Sequence, residues 1–151
     1  MPKVVLDTSV IVEYIDKEAK FQDQARAVFS AIVGGKIEAI VTYPTLSETY
    51  YVSAKIYQKL GIAKPQNLAA ELVEWLFRLP TVAMAAENKE LAVEAGNAKL
   101  KYCLALTDCY VLAASSVYDC KALFRMPGEE MLLKLTALKK AYQLVFLADY
   151  K

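Results

Sequence analysis

Short blocks of consecutive apolar residues alternate along this chain with longer stretches whose apolar residues recur every three or four positions. Val4-Val5-Leu6, Ala39-Ile40-Val41, Thr81–Ala85, Lys121–Phe124 and Leu144-Val145-Phe146 are the short blocks. Runs of this length, rich in β-branched residues, predict short buried strands. Between them the pattern predicts helices. One covers Val10 to Tyr14, and the next carries Ala25, Val28, Phe29 and Ile32 on one face until Gly34-Gly35 stops it. Thr42-Tyr43-Pro44-Thr45 opens a third helix with Leu46, Tyr50, Ser53, Tyr57 and Leu60 inward and Gly61 as its cap. Pro65 opens a fourth, striped by Leu68, Leu72, Trp75, Leu76 and Leu79, and Pro80 ends it. Asn88 caps a fifth with Leu91, Ala95, Ala98 and Tyr102 on one face, where Gly96 suggests close helix packing. An apolar helix from Thr107 or Asp108 to Tyr118 and another from Glu129 to Leu138 complete the series. Strands alternating with helices imply crossover connections. The expected fold is α/β, with a central, mainly parallel sheet of four to five short strands between helical layers.

Length changes this picture little: 151 residues without repeat or linker are read as a single domain, 1–151. No uncharged apolar run approaches membrane-spanning length, and Asp7 and Glu13 interrupt any apolar leader, so a cytoplasmic protein is expected. A net charge of +1 gives no global basic signature for nucleic acid, which leaves only a local patch. The absence of histidine changes more. It excludes Ser-His-Asp and Cys-His catalysis and every histidine-ligated metal site. Three cysteines, Cys103, Cys109 and Cys120, lack zinc spacing and are read as small reduced core residues.

Chemistry must then rest on carboxylates, and three of them fall at equivalent places. Asp7 ends the first strand, Glu48 lies on the first turn after the second, and Asp108 begins the apolar helix before the fourth. In a parallel sheet, strand ends and the helix starts that follow them gather at one edge, where ligands bind. Each acid also has a plain structural reading. Asp7 before Thr8-Ser9 suits a strand-to-helix cap, Thr45-Leu46-Ser47-Glu48 suits a capping box, and Asp108 suits a helix dipole. Asp108 fits that reading least, because it shares a face with Leu104, Val111, Leu112 and Ser115. Two carboxylates ~5 Å apart repel by about 3 kcal/mol at an effective dielectric near 20. Converging acids therefore call for raised pKa values or for a hard divalent cation such as Mg²⁺ or Mn²⁺.

Leu6-Asp7-Thr8-Ser9-Val10 resembles the opening motif of PIN domains, especially VapC-type toxin ribonucleases. Thr42–Glu48 followed by Tyr50-Tyr51-Val52 resembles their second motif, and Leu104–Asp108 running into Val111–Ala114 resembles the third. The resemblance covers nearly the whole chain in order. It implies a three-layer α/β/α PIN-like domain and a metal-dependent endoribonuclease, a toxin with an antitoxin partner and a second copy of itself. It maps Asp7, Glu48 and Asp108 onto the ligands of Mg²⁺ or Mn²⁺, and Thr8 onto the hydroxyl that supports the site. Many members carry a fourth acid after the fourth strand, in a Thr-x-Asp pattern. Here Arg125-Met126-Pro127-Gly128 follows Leu123-Phe124, with Glu129 and Glu130 the nearest acids. Arg125 is assigned to substrate phosphate.

Two other readings stand beside this one. The missing aspartate suits a PIN-like binding module that has lost efficient catalysis. A phospho-acceptor role for Asp7 would resemble the Asp-x-Asp-x-Thr of haloacid-dehalogenase-like enzymes, but Ser9 occupies the second acid's place.

Overall fold

The computed structural model of the chain describes residues 1–150. Five strands, β1 (Lys3–Leu6), β2 (Glu38–Val41), β3 (Val82–Met84), β4 (Lys121–Phe124) and β5 (Leu144–Phe146), form one sheet in the order β3-β2-β1-β4-β5. All four pairings are parallel, with Val5 opposite both Ile40 and Ala122. The first strand is thus the middle one. Side chains alternate between the faces, as the two-residue period of a strand requires. Val5, Ile40, Ala122 and Phe124 enter one buried cluster, while Val4, Leu6, Val41 and Leu123 enter the other.

Helices α1 (Thr8–Ile15), α2 (Gln22–Val33) and α4 (Pro65–Arg78) contribute to the second cluster, with Ile11, Phe29, Ile32 and Leu76 fully buried. Helices α5 (Lys89–Tyr102), α6 (Leu106–Val117) and α8 (Leu135–Ala141) contribute to the first. The expected stripe of α5, Leu91-Ala95-Ala98-Tyr102, is buried throughout. Helix α3 (Tyr43–Lys59) ends as the sequence suggested. Gly61 adopts the left-handed φ of 73° that favours glycine, and Ile62 N–H reaches back to Tyr57 O at 3.0 Å. Among the described residues no single helix is long and apolar enough to cross a membrane.

Four local expectations are corrected. The inner face of α3 is Thr45, Leu46, Thr49 and Ser53, whereas Tyr50 and Leu60 are exposed. A helix of 17 residues spans about 25 Å, a strand of four about 13 Å, so α3 is longer than the sheet strands, and its main packing partner is α4. The helix expected over Glu129–Leu138 is two, α7 (Glu129–Leu132) and α8, because Lys134 leaves helical geometry and its Nζ donates to Tyr102 O. Gly96 has open space where a Cβ would stand, so close packing is not what it serves. Cys103 is exposed at the left-handed turn that ends α5, while Cys109 and Cys120 are buried and free.

Candidate acidic site at the carboxyl edge of the sheet

The backbone fixes Asp7 before its side chain is considered. Its N–H donates to Leu123 O at 3.0 Å, which extends the β1–β4 ladder by one residue, and it then caps α1. Its carboxylate is 5% exposed. Oδ2 accepts from Ser9 N–H at 3.0 Å and from Ser9 Oγ–H at 2.6 Å. Ser9 Oγ in turn accepts from the Arg125 backbone N–H at 2.9 Å, so the single hydroxyl proton is committed to Asp7. Oδ1 is buried and has no hydrogen-bond partner, and neither has Thr8 Oγ1. Buried acceptors are rarely left so. Burial pushes the Asp7 carboxyl above its usual range; the Ser9 bonds counter this and the charge of Glu48 adds to it.

Asp108 arrives from the other face. The α5–α6 connection is held by Lys99 Nζ on Leu104 O at 2.7 Å, and α6 begins at Leu106 with Ala105 as a cap that offers no side-chain bond. Asp108 is therefore a first-turn residue of α6 but not its cap. Partial burial, then the charges of Asp7, Glu48 and Glu130, push its carboxyl up to about 7. That shift records convergence, because those charges come from three separate elements.

The capping-box reading of Glu48 is overturned. Thr42 caps α3, its Oγ1 accepting from Thr45 N–H at 3.2 Å, and Tyr43 and Pro44 fill the first helical positions. Glu48 consequently sits on the second turn of α3, half-buried, with no bond back to Thr45. Its charge acts on both Asp7 and Asp108.

A cavity of about 370 Å³ opens here, lined by Asp7, Ser9, Asp108, Glu129 and Glu130 over a floor that includes Leu104 and Phe124. Glu48 lies just outside this lining. A larger trough of about 600 Å³ faces the other end of β1 and contains none of these acids. Its size carries no chemistry. The structure thus brings Asp7 and Asp108 into one cavity and couples Glu48 to both.

Arg125 is placed elsewhere. Its Nε donates to Glu13 Oε1 at 2.7 Å and its guanidinium lies 5.2 Å over the Phe21 ring, outside the acidic cavity. In this structure its guanidinium is engaged by an ion pair with Glu13. Sequence reasoning assigned no role to Ser9 beyond a turn, and none to Glu13. The one signal for Glu13 was a charge four residues after Ser9 on a largely apolar helix.

The charged groups lining the cavity are all carboxylates, oxygen donors that suit a hard cation. Among the described residues no group of three or more His, Cys, Asp or Glu side chains already stands in an ion-holding arrangement. The unpartnered Oδ1 of the buried Asp7, in a cavity also lined by Asp108, is the acceptor left for a ligand to meet.

A PIN-domain family profile matches residues 4–125. The chain belongs to the PIN domain family. No curated protein matches its sequence. The fold is shared with solved structures at low identity. One is a chain of FitAcB from Neisseria gonorrhoeae, at TM-score 0.66 and 17% identity, with 97% of this chain and 99% of that one covered. Another is from Rickettsia felis VapBC2 bound to a promoter DNA fragment, at TM-score 0.65 and 11% identity over 95% and 98%. A third is from VapBC-1 of nontypeable Haemophilus influenzae, at TM-score 0.63 and 13% identity over 97% and 98%. The fold and family expected from the sequence are borne out.

Proposed function

We propose that this PIN-domain chain is a Mg²⁺- or Mn²⁺-dependent endoribonuclease and the toxin of a toxin–antitoxin pair. The observation that carries the reading is Asp7. A carboxylate 5% exposed keeps one oxygen without a partner in a cavity it shares with Asp108. A buried acceptor of that kind costs stability unless a ligand meets it. Asp7, Glu48 and Asp108 would hold the ion. When bound, it supplies an activated water and neutralises charge building on the scissile phosphate. The chain's own residues do the positioning: Ser9 holds Asp7 by Oδ2 so that Oδ1 is the free oxygen, and the buried hydroxyl of Thr8 likewise has no partner.

The family and the toxin–antitoxin complexes that share the fold support the toxin reading. An antitoxin peptide laid across the acidic cavity, a second copy of the chain and a cytoplasmic setting belong to the same proposal. So does the extent of the domain over residues 1–151. Purified protein with Mn²⁺ is expected to cleave RNA, and D7N or D108N to abolish cleavage while circular dichroism stays native. Intact RNA across structured and unstructured substrates would overturn the reading. Because the Thr-x-Asp acid is missing, a PIN-like binding module is the second reading. Calorimetric Mn²⁺ binding without cleavage would select it.

A further inference from the structure

The trough at the other end of β1 has a lining that its size alone does not describe. Val4, Leu123 and Val145, from three adjacent strands, line it together with Ala27 and Val28 of α2. Val28 and Val145 are only partly buried, because the trough lies open beside them. Helix α2 joins two parallel strands and so runs against them, with Asp23 and Gln24 toward their carboxyl ends. The two ends of the trough therefore differ. At the carboxyl end Leu147 and Tyr150 line it, and Tyr150 O accepts from Gln24 Nε2 at 2.9 Å, which ties the segment after β5 to α2. Ala148 N–H holds the same segment to Arg125 O at 3.1 Å. At the amino end the rim carries Lys3 and Lys121. Lys121 stands opposite Val4 in the β1–β4 register, so both face the trough. Neither lysine makes an ion pair among the described residues, and the acid of the lining, Asp23, is at the opposite end.

We propose that this trough binds a free medium-chain carboxylate, its head group at Lys3 and Lys121 and its alkyl chain along Val4, Val28, Leu123 and Val145. Each feature of the ligand answers a feature of the lining. Aliphatic side chains along a strand of about 13 Å take a hydrocarbon chain. Two unpaired ammonium groups at one end take an anion. Asp23 at the other end repels a second negative charge, so a ligand with one charged end fits and a dicarboxylate does not. The tie between Tyr150 and Gln24 obstructs a peptide running through, which favours a ligand entering from the lysine end. The volume of about 600 Å³ lies within the range of small-molecule sites, about 300–1,000 Å³. No residue lines both the trough and the acidic cavity, so this inference is independent of the metal-dependent reading.

The test is calorimetric titration of the full-length protein with decanoate, with decyltrimethylammonium and with sebacate, the dicarboxylate of the same length. Wild type is expected to bind one decanoate saturably and neither of the other two. K3E/K121E should bind decanoate about tenfold more weakly. A27W, which places an indole in the trough from an exposed position, should lose binding while circular dichroism stays native. No saturable decanoate binding by wild type would overturn the proposal. Equal binding of the cationic probe would also overturn it, since apolar adsorption would then suffice. So would decanoate affinity unchanged in A27W, which would put the ligand elsewhere. Sedimentation in which A27W splits an oligomer that decanoate leaves intact would give the trough to a second copy of the chain instead.

Discussion

Helix α1 carries a buried carboxylate near each end, and the fold treats the two in opposite ways. Glu13 is 4% exposed, and both its oxygens are used: Oε2 accepts from Phe21 N–H at 2.8 Å and Oε1 from Arg125 Nε at 2.7 Å. Asp7 is as deeply buried, yet one of its oxygens has no partner. Burial of an acid is therefore no sign of function in this molecule. The sign is an acceptor that the chain leaves open. Glu13 ties the α1–α2 connection to the end of β4, and Asp7 faces a cavity.

The largest test of this contrast is stability. E13A leaves Arg125 and the Phe21 N–H without a partner and is expected to cost about 2–4 kcal/mol in urea denaturation. D7N removes a carboxyl that the metal-free fold holds under protest and should change stability by no more than about 1 kcal/mol. If the two variants unfold alike, the distinction between a structural and a functional acid fails.

Proton linkage gives the next effect. The Asp108 carboxyl, pushed up to about 7 from 3.8, keeps its proton in the folded chain over a range where the unfolded chain has lost it. For an acid raised on folding, stability is undiminished below about pH 4, declines as pH climbs toward 7, and levels off above. The expected loss for the metal-free protein between pH 5 and 8 is on the order of 2 kcal/mol, allowing for partial solvation. Thermal melts across that range should show it, and D108N should flatten most of the slope. A wild-type stability that rises over the interval would contradict convergence of the acids.

S9A is the smallest. It deletes one hydroxyl that links Asp7 Oδ2 to the Arg125 backbone, at about 1 kcal/mol of stability. It should also weaken Mn²⁺ binding by roughly tenfold, because Asp7 would lose its fixed orientation. Unchanged Mn²⁺ affinity would show that Asp7 is oriented without Ser9.

Most of the fold was legible because its signals are local. Five apolar blocks marked five strands, and Asn88, Pro65 and Gly61 punctuated helices where the structure has their ends. The misreadings came where distant geometry decides. Tyr50 and Leu60 share a face with Leu46, but whether that face is covered depends on how far the sheet extends beneath α3. The capping pattern at Thr45 was real as a pattern and lost to Thr42, which stands at the strand end and meets the first free N–H groups. Asp7, Glu48 and Asp108 were expected at one edge from topology alone; Asp7 and Asp108 line one cavity, and Glu48 lies outside its lining. Arg125 and Glu13 could not be paired by any rule of spacing, being 112 residues apart.

The central position of β1 has a consequence for the order in which the protein is made. Asp7 is synthesised before the strand that seats it, β4 at Lys121–Phe124. Ser9 and Arg125, whose bond completes the setting, are 116 residues apart. At roughly 5–20 residues per second, several seconds or more separate their emergence from the ribosome. Until β4 inserts beside β1, the acids have no common edge on which to meet. A nascent copy of the chain therefore lacks the seat of Asp7 until β4 and Arg125 have emerged.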